Sequence, residues 1–455
     1  MKDDISVRLA LAPKTEIVRC SDTELTFRSS DGEMSLGQLQ PDIFKALRLL
    51  QKEAVRMDEL SASLPKGATV EQAKLLAHIT LLTRSGFIWH EFYTGKIRLA
   101  SRYAISSYYR QHPTKPNTSY RLSRFAYLHR QDDNLIIESP RAHAQVVLHD
   151  WRAAAMLMET PEYGKFSVET HQAFLKFLAE VGLAVPVDEN DVTEEDQSDE
   201  LRQWDFHDLL FHSRSRAGRH NYPIGGTLRF KNDIEPLPLK KSVMSDKIIQ
   251  LIKPDMGDLM LTDKPFAEVL EHRRSIRTCA EQAMTLQQLG EFIYRSCRTQ
   301  RLLENDYAVC LRPYPSGGAV HALEIYLVNH RCDGLKQGFF HYCPFDHQLE
   351  EIKVREEDQN TMLEYATTAQ GSGVSKPSVL LFYTARFQRV SWKYSTVAYS
   401  LILKEVGALQ QTMYLVATAM DLAPCALGSG DSDFFSRMTG LSYEVESTVG
   451  EFVLQ

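Results

Sequence analysis

Residues 378–428 read SVLLFYTARFQRVSWKYSTVAYSLILKEVGALQQTMYLVATAMDLAPCALG. Ser378 to Ala385 is an apolar run of strand length, which predicts a strand buried on both faces. Val397 to Met420 is too long for a strand and mostly apolar, so it predicts a long helix seated in a core or at a subunit interface. Trp392-Lys393-Tyr394 stands at the entrance to that helix. A glycine-containing loop, Pro424-Cys-Ala-Leu-Gly-Ser-Gly-Asp431, follows its exit.

Outward from this stretch, helices and strands alternate from about Lys247 onward. Thr285-x-x-Gln288 is a capping box opening a helix with Leu289, Phe292 and Ile293. Ala322 to Val328 reads as a strand, and Phe339-Phe-His-Tyr and Gln348 to Ile352 as the arms of a hairpin. The N-terminal region has another grammar. Alternating strands at Ser6–Leu11 and Glu24–Arg28 precede a helical face of Ile43, Leu47 and Leu50. Thr69-x-x-Gln72 predicts a capped helix carrying Leu75, Ile79 and Leu82 and ending at Gly86, and the hairpin Phe87–Ala100 follows. Two helices and a hairpin outline a winged helix. The outline recurs with strand 135–138, Ser139-Pro140 as a helix start, helix 167–181, Gly182 and Leu183-Ala-Val. The expected division is one winged-helix-like unit over 1–105, a second over 106–187, an acidic linker and extended lead-in over 188–240, and a domain over 241–455. A single irregular α+β domain is the alternative for the second unit. The whole chain falls in the α+β class.

The composition is that of a globular protein: 455 residues, 43% hydrophobic and 24% charged. The formal charge of −7 gives no support to a nucleic-acid or anionic-membrane binder. Eight of the acids fall within 188–200, so the remainder is near neutral; such a run reads as a solvated spacer. The helix Val70–Ser85 carries only Lys74 and Arg84 against Glu71, too little for a DNA reader. No signal peptide or membrane-length apolar run is present. Seven scattered cysteines without a CxxC pair point to reduced thiols in a cytoplasmic protein with no metal site. His207 and His212, five apart, lack helical metal-ligand spacing and are assigned to structure.

Four clusters could carry chemistry, each with a plain alternative. Arg273-Arg274-Ser275-Ile276-Arg277 could grip a phosphate or lie against a flavin edge, or be a solvated surface. Pro315-Ser316-Gly317-Gly318 could let backbone approach a ligand, or be an ordinary turn. Lys393-Tyr394 could be a general acid/base pair, or a solvent-facing Lys beside a packed Tyr. The loop 424–431 could present backbone N–H groups, or only connect a helix to a strand.

Their order is more specific than any one of them. RRSIR, then PSGGAVHALEIYLV, then WKYSTVAYSLILKEVGALQQTMYLVATAMDL, then CALGSGD resembles the SagB/McbC-type azoline dehydrogenases of the FMN-dependent nitroreductase superfamily. The resemblance covers about residues 204–455. The N-terminal units look like the leader-recognition modules of some relatives, and the layout is most similar to cyanobactin thiazoline oxidases. The resemblance implies a nitroreductase-like FMN-binding domain in a homodimer. It implies FMN contacts from Arg273, Arg274, Ser275 and Arg277, contacts from Pro315, Ser316 and Gly317 to the flavin of the other subunit, and backbone at Leu427 and Gly428 facing N5. Lys393 and Tyr394 match the family's catalytic pair. No clear counterpart of the late basic phosphate ligand is seen, Arg437 being one substitute. The implied reaction is oxidation of thiazolines or oxazolines in a heterocyclised precursor peptide, with dioxygen reoxidising the flavin. The alternatives are an NAD(P)H-dependent nitro or quinone reductase, and a flavin-free peptide-binding subunit of a cyclase complex.

Overall fold

The computed structural model describes residues 4–19, 21–30, 32–116, 118–158, 167–303, 307–371 and 374–455. Cys20 lies outside the described residues; the other six cysteines are free thiols. The chain divides into two units, Met1–Tyr222 and Pro223–Gln455.

The first unit is built on one antiparallel seven-stranded sheet. Its order is Val55–Arg56, Ile5–Leu11, Ile88–Thr94, Ile97–Ala104, Ala144–Leu148, Asn134–Glu138 and Tyr127–Gln131. Helices Pro41–Leu49, Met57–Ala62 and Thr69–Arg84, with the meander 16–36, close a core around Leu25, Phe27, Leu47, Leu75 and Ile88. Helices Trp151–Met156 and Val168–Ala179 close a second core around Phe92, Phe174, Phe177 and Leu183. Gly86 and Gly182 end the two long helices at φ +80°, a conformation that suits glycine. The division expected at 105/106 falls inside the sheet, because strand Ile97–Ala104 pairs with Ala144–Leu148. Two expected helix starts differ. Thr69 is the first helical residue behind the cap Ala68, with no side-chain cap, since its N–H is already turned to Gly67 O. Ser139-Pro140 forms a turn closed by Ala142 N–H to Ser139 O, because strand Ala144–Leu148 begins too soon for a helix.

The acidic run is not a free spacer. Thr193 and Ser198 cap two short helices, Glu194–Gln197 and Asp199–Arg202. Glu195, 1% exposed, accepts from Ser123 Oγ (2.7 Å) and Arg124 N–H (2.9 Å) and pairs with Arg141. The run is therefore bolted to the first unit by one buried carboxylate.

The second unit is an antiparallel seven-stranded sheet between two helical layers. The order is Ile248–Gln250, Gln348–Ile352, Gly338–Cys343, Leu323–Asn329, Val379–Arg386, Glu446–Leu454 and Pro424–Leu427. Side chains alternate between two cores, as a period of two demands. Val379, Leu381 and Tyr383 point toward helices Leu286–Cys297 and Ala398–Ala419. Leu380 and Phe382 point the other way, beside Met362, Leu363 and Phe435 of helices Glu356–Gln370 and Ser432–Thr439. This is why 378–385 reads as an unbroken apolar run. The capping box at Thr285 and Gln288 forms as expected.

The extended lead-in belongs to the second unit from Pro223 onward, ahead of the expected start at 241. Buried guanidiniums hold it. Arg389, fully buried, donates to Leu237 O (2.6 Å), and Arg386 donates to Pro238 O (2.8 Å) and Leu239 O (3.2 Å). An extended chain needs partners for its carbonyls, and these two arginines supply them.

Candidate functional site

Helix Ala398–Ala419 organises two clusters, one at each end. At its start, the chain leaves strand Val379–Arg386 through the short helix Phe387–Ser391. Lys393 and Tyr394 then fold back on Val390 O, and Thr396 turns at φ +57° before the helix begins. Leu228 N–H donates to Lys393 O (3.1 Å), and Gly225 and Ser395 exchange backbone hydrogen bonds, so the lead-in fixes this corner. Trp392 is buried, stacked on Tyr307 at 5.1 Å. Lys393 Nζ lies 5.3 Å from the Tyr394 ring.

Both side chains converge on Gly318. A Cβ there would stand 2.7 Å from Lys393 Nζ and closer still to Tyr394 Oη, at a backbone φ of +62°. The bend that brings Lys393 and Tyr394 onto one point thus meets a loop whose backbone, at positive φ, suits glycine. The same loop is tied from beneath. Ser316 Oγ donates to Glu405 Oε2 (2.9 Å) and accepts from His321 N–H (3.1 Å), while His321 Nδ1 lies 3.2 Å from Glu405 Oε1. The Ser316 hydroxyl is therefore a structural tie; Pro315 is exposed, and Gly317 packs on Leu401. Burial lowers the pKa of His321, only partly offset by its bond to Glu405.

The second cluster lies at the far end of the helix. Ser275 Oγ and Tyr414 Oη are 2.7 Å apart, and Tyr414 Oη accepts from Ala426 N–H at 2.7 Å. Ile276 N–H donates to Pro424 O (2.8 Å), and the Arg273 guanidinium sits 5.3 Å over the Tyr414 ring. The RRSIR segment is thus clamped to the loop after Pro424. Arg274 and Arg277 are exposed, and among the described residues no carboxylate pairs with Arg273, Arg274 or Arg277. Arg274 lines a cavity of about 360 Å³ with Lys264, Glu268, His272 and Thr418. The Leu427 side chain is buried in the core beyond the sheet, so only its backbone is presented, and Gly428 faces open space. Three uncompensated guanidiniums beside exposed backbone fit an anionic, phosphate-bearing cofactor. Arg437 is exposed and paired with Asp433 at 3.1 Å.

The two clusters stand apart along the helix. Glu405 and Tyr414 are nine residues apart on the helix, about 14 Å at ~1.5 Å per residue. Tyr414, Glu405 and His321 escaped the sequence reading as site residues. Glu405 had a signal, an acid inside an apolar helix; Tyr414 had none, being one more aromatic on a core helix. Among the described residues no group of three or more His, Cys, Asp or Glu is placed to hold a metal, and no helix is long and apolar enough to cross a membrane. His207 pairs with Asp205 and His212 stacks on Trp204.

Residues 270–451 match the profile of the Nitroreductase family. Residues 120–221 match the profile described as Cyanobactin oxidase ThcOx. A protein of Methanocaldococcus jannaschii named as a nitroreductase, MJ1384, is 27% identical over 180 residues, 39% of this chain and 82% of that protein. The microcin B17-processing protein McbC of Escherichia coli is 31% identical over 117 residues, 24% of this chain and 42% of McbC. A solved structure named for a nitroreductase of Anabaena variabilis is 14% identical, with a TM-score of 0.40, covering 99% of this chain and 80% of that one. The second unit is a nitroreductase-family domain, in a family of flavoproteins, and the chain is an oxidoreductase. With a ThcOx-type segment ahead of that domain and a likeness to McbC over part of its length, the chain is similar to the SagB/McbC-type members of the superfamily.

Proposed function

We propose that this chain is an FMN-dependent azoline oxidase, converting thiazolines or oxazolines of a heterocyclised precursor peptide to the aromatic azoles. The observation that carries the reading is the convergence of Lys393 and Tyr394 on Gly318, within a nitroreductase-family domain preceded by a ThcOx-type segment. Arg273, Arg274 and Arg277 would hold the FMN phosphate and ring edge, and Leu427 and Gly428 would offer backbone to the ring. FMN, when bound, supplies the hydride acceptor, reoxidised by dioxygen. The chain's residues do the rest. The ring carbon next to the peptide carbonyl bears the most acidic C–H, and the Lys393-Tyr394 pair takes that proton. The Gly318 loop presses one wall against the pair and orients the ring. Ser316, Glu405 and His321 hold that loop.

The two clusters stand about 14 Å apart along one helix, and by resemblance to the family a homodimer would let the Pro315–Gly318 loop and the Lys393-Tyr394 corner complete the Arg273–Arg277 site of the partner. The first unit would hold the peptide. The test is mass spectrometry of a heterocyclised peptide incubated with the yellow protein and oxygen. The expected result is ~2 Da lost per ring, the two hydrogens of a dehydrogenation. An unchanged mass with reducible, reoxidisable flavin would refute the reading.

A further inference from the structure

The first unit carries a cationic pocket that none of the chemistry above uses. It has a volume of about 500 Å³, and its walls include Tyr108, Arg110, His112, Arg141, His143 and Arg219. No described carboxylate lines it. Arg141 is already paired with Glu195. Arg219 reaches only the carbonyl oxygens of Pro140 (3.4 Å) and Arg141 (3.5 Å). Neither the Arg110 guanidinium nor the His112 ring has a partner among the described residues. His143 Nδ1 lies 2.8 Å from Ser106 Oγ, and its pKa is lowered by burial and then by Arg219 and His112. A chain of formal charge −7 has thus placed two guanidiniums without a carboxylate partner, Arg110 and Arg219, at one concave place.

A second cavity of about 580 Å³ shares Tyr109 and Arg110 with this pocket. Its walls include Val7, Leu9, Leu76 and Ile79; its one carboxylate, Glu180, is paired with Arg102, and its Arg84 donates to Tyr109 O (3.0 Å). An inorganic anion would gain nothing from the apolar walls of the second cavity. An extended peptide, rising ~3.3 Å per residue with side chains on alternating sides, can set carboxylates in one chamber and apolar side chains in the next.

We propose that this pocket takes the carboxylates of an acidic, extended segment of the peptide substrate, outside the rings that are oxidised. The proposal rests on the reading that the substrate is a peptide. It names where the segment docks and by what charge.

The test uses the full-length protein and two fluorescein-labelled peptides, one of alternating Glu and Leu and one with Gln for each Glu. Anisotropy is read at low and at physiological salt. The Glu peptide should bind at least about tenfold more tightly than the Gln peptide and weaken with salt. Arg110→Glu and Arg219→Glu should each weaken it by about tenfold, whereas Lys45→Glu, on helix Pro41–Leu49, should not. Arg110 is exposed, so its variant decides the matter even if Arg219→Glu fails to fold. Equal binding of the two peptides, indifference to both reversals, or full displacement of the Glu peptide by inorganic phosphate at equivalent charge would overturn the proposal. Oxidation of a short thiazoline peptide without acids separates this from the enzymatic reading, since both variants should process it at the wild-type rate. Charge-dependent binding by a protein that oxidises no azoline would sink the enzymatic reading and leave the pocket standing.

Discussion

At the residue scale, the pair Lys393-Tyr394 and the glycine opposite it carry the sharpest expectations. Lys393→Ala and Tyr394→Phe should each lower azoline oxidation by about 10²–10⁴-fold while the visible flavin spectrum is kept, as loss of a positioned acid or base does. Lys393→Arg should not restore turnover, because a guanidinium keeps its proton near neutral pH. Steady-state turnover beside the absorbance of bound flavin checks both; near wild-type rates in both single variants would move the base elsewhere. Gly318→Ala is a second test, and one visible only in the structure. Its backbone at φ +62° resists a side chain by roughly 1 kcal/mol, and the new Cβ meets Lys393 and Tyr394. Turnover should fall at least about tenfold while Tm falls by only a few degrees.

At the scale of elements, Tyr414 ties three segments: its own helix, Ser275 of the RRSIR stretch and Ala426 of the strand Pro424–Leu427. Tyr414→Phe leaves the Ala426 N–H without its acceptor, which costs roughly 1–3 kcal/mol. It also frees Ser275, so flavin should be lost on dilution more readily than from wild type, measured by fluorescence of the released cofactor. A second element-scale test concerns the sheet. His341 lies between Glu324 (3.1 Å) and Glu350 (3.2 Å), all three buried. Burial pulls the His341 pKa down, but its bonds to the two carboxylates outweigh this and the net direction is up. Its stabilisation is therefore complete below the unfolded value of ~6.5 and is lost as pH rises through the folded one. Glu324, disfavoured as an anion by burial but held down to about 2 by His341 and nearby arginines, contributes fully above 4.5 and loses this as pH falls toward 2. His341→Gln should then destabilise by roughly 3 kcal/mol near pH 6 and by less in alkaline buffer, read by denaturant unfolding. The acidic run shows how an element defeats composition. Seven of its eight acids suit a solvated spacer, but Glu195 is buried against Ser123, Arg124 and Arg141, and nothing in a string of like charges marks which one turns inward.

At the scale of the whole molecule, the proposed flavin site is shared between two chains. Purified protein should be yellow, release FMN rather than FAD on heating, and run as a dimer by light scattering. A flavin-loaded monomer would contradict the shared site. What the amino-acid order determined by itself is whatever rests on local pattern. The double-faced strand at 379–386, the long helix at 398–419, the capping box at Thr285 and the glycine-terminated helices ending before Gly86 and Gly182 are all written in periods of two and 3.6 and in residues with special backbone needs. The candidate residues, too, were legible as types in sequence. Only the tertiary structure decided how they are grouped. It joined the two N-terminal winged outlines into one sheet, gave the lead-in to the second unit through Arg386 and Arg389, and turned Lys393 and Tyr394 onto Gly318. Those outcomes hang on hydrogen bonds and steric contacts between residues far apart in the chain, such as Thr227 and Ser395, 168 positions apart, and no local periodicity encodes which distant partner will satisfy a buried group.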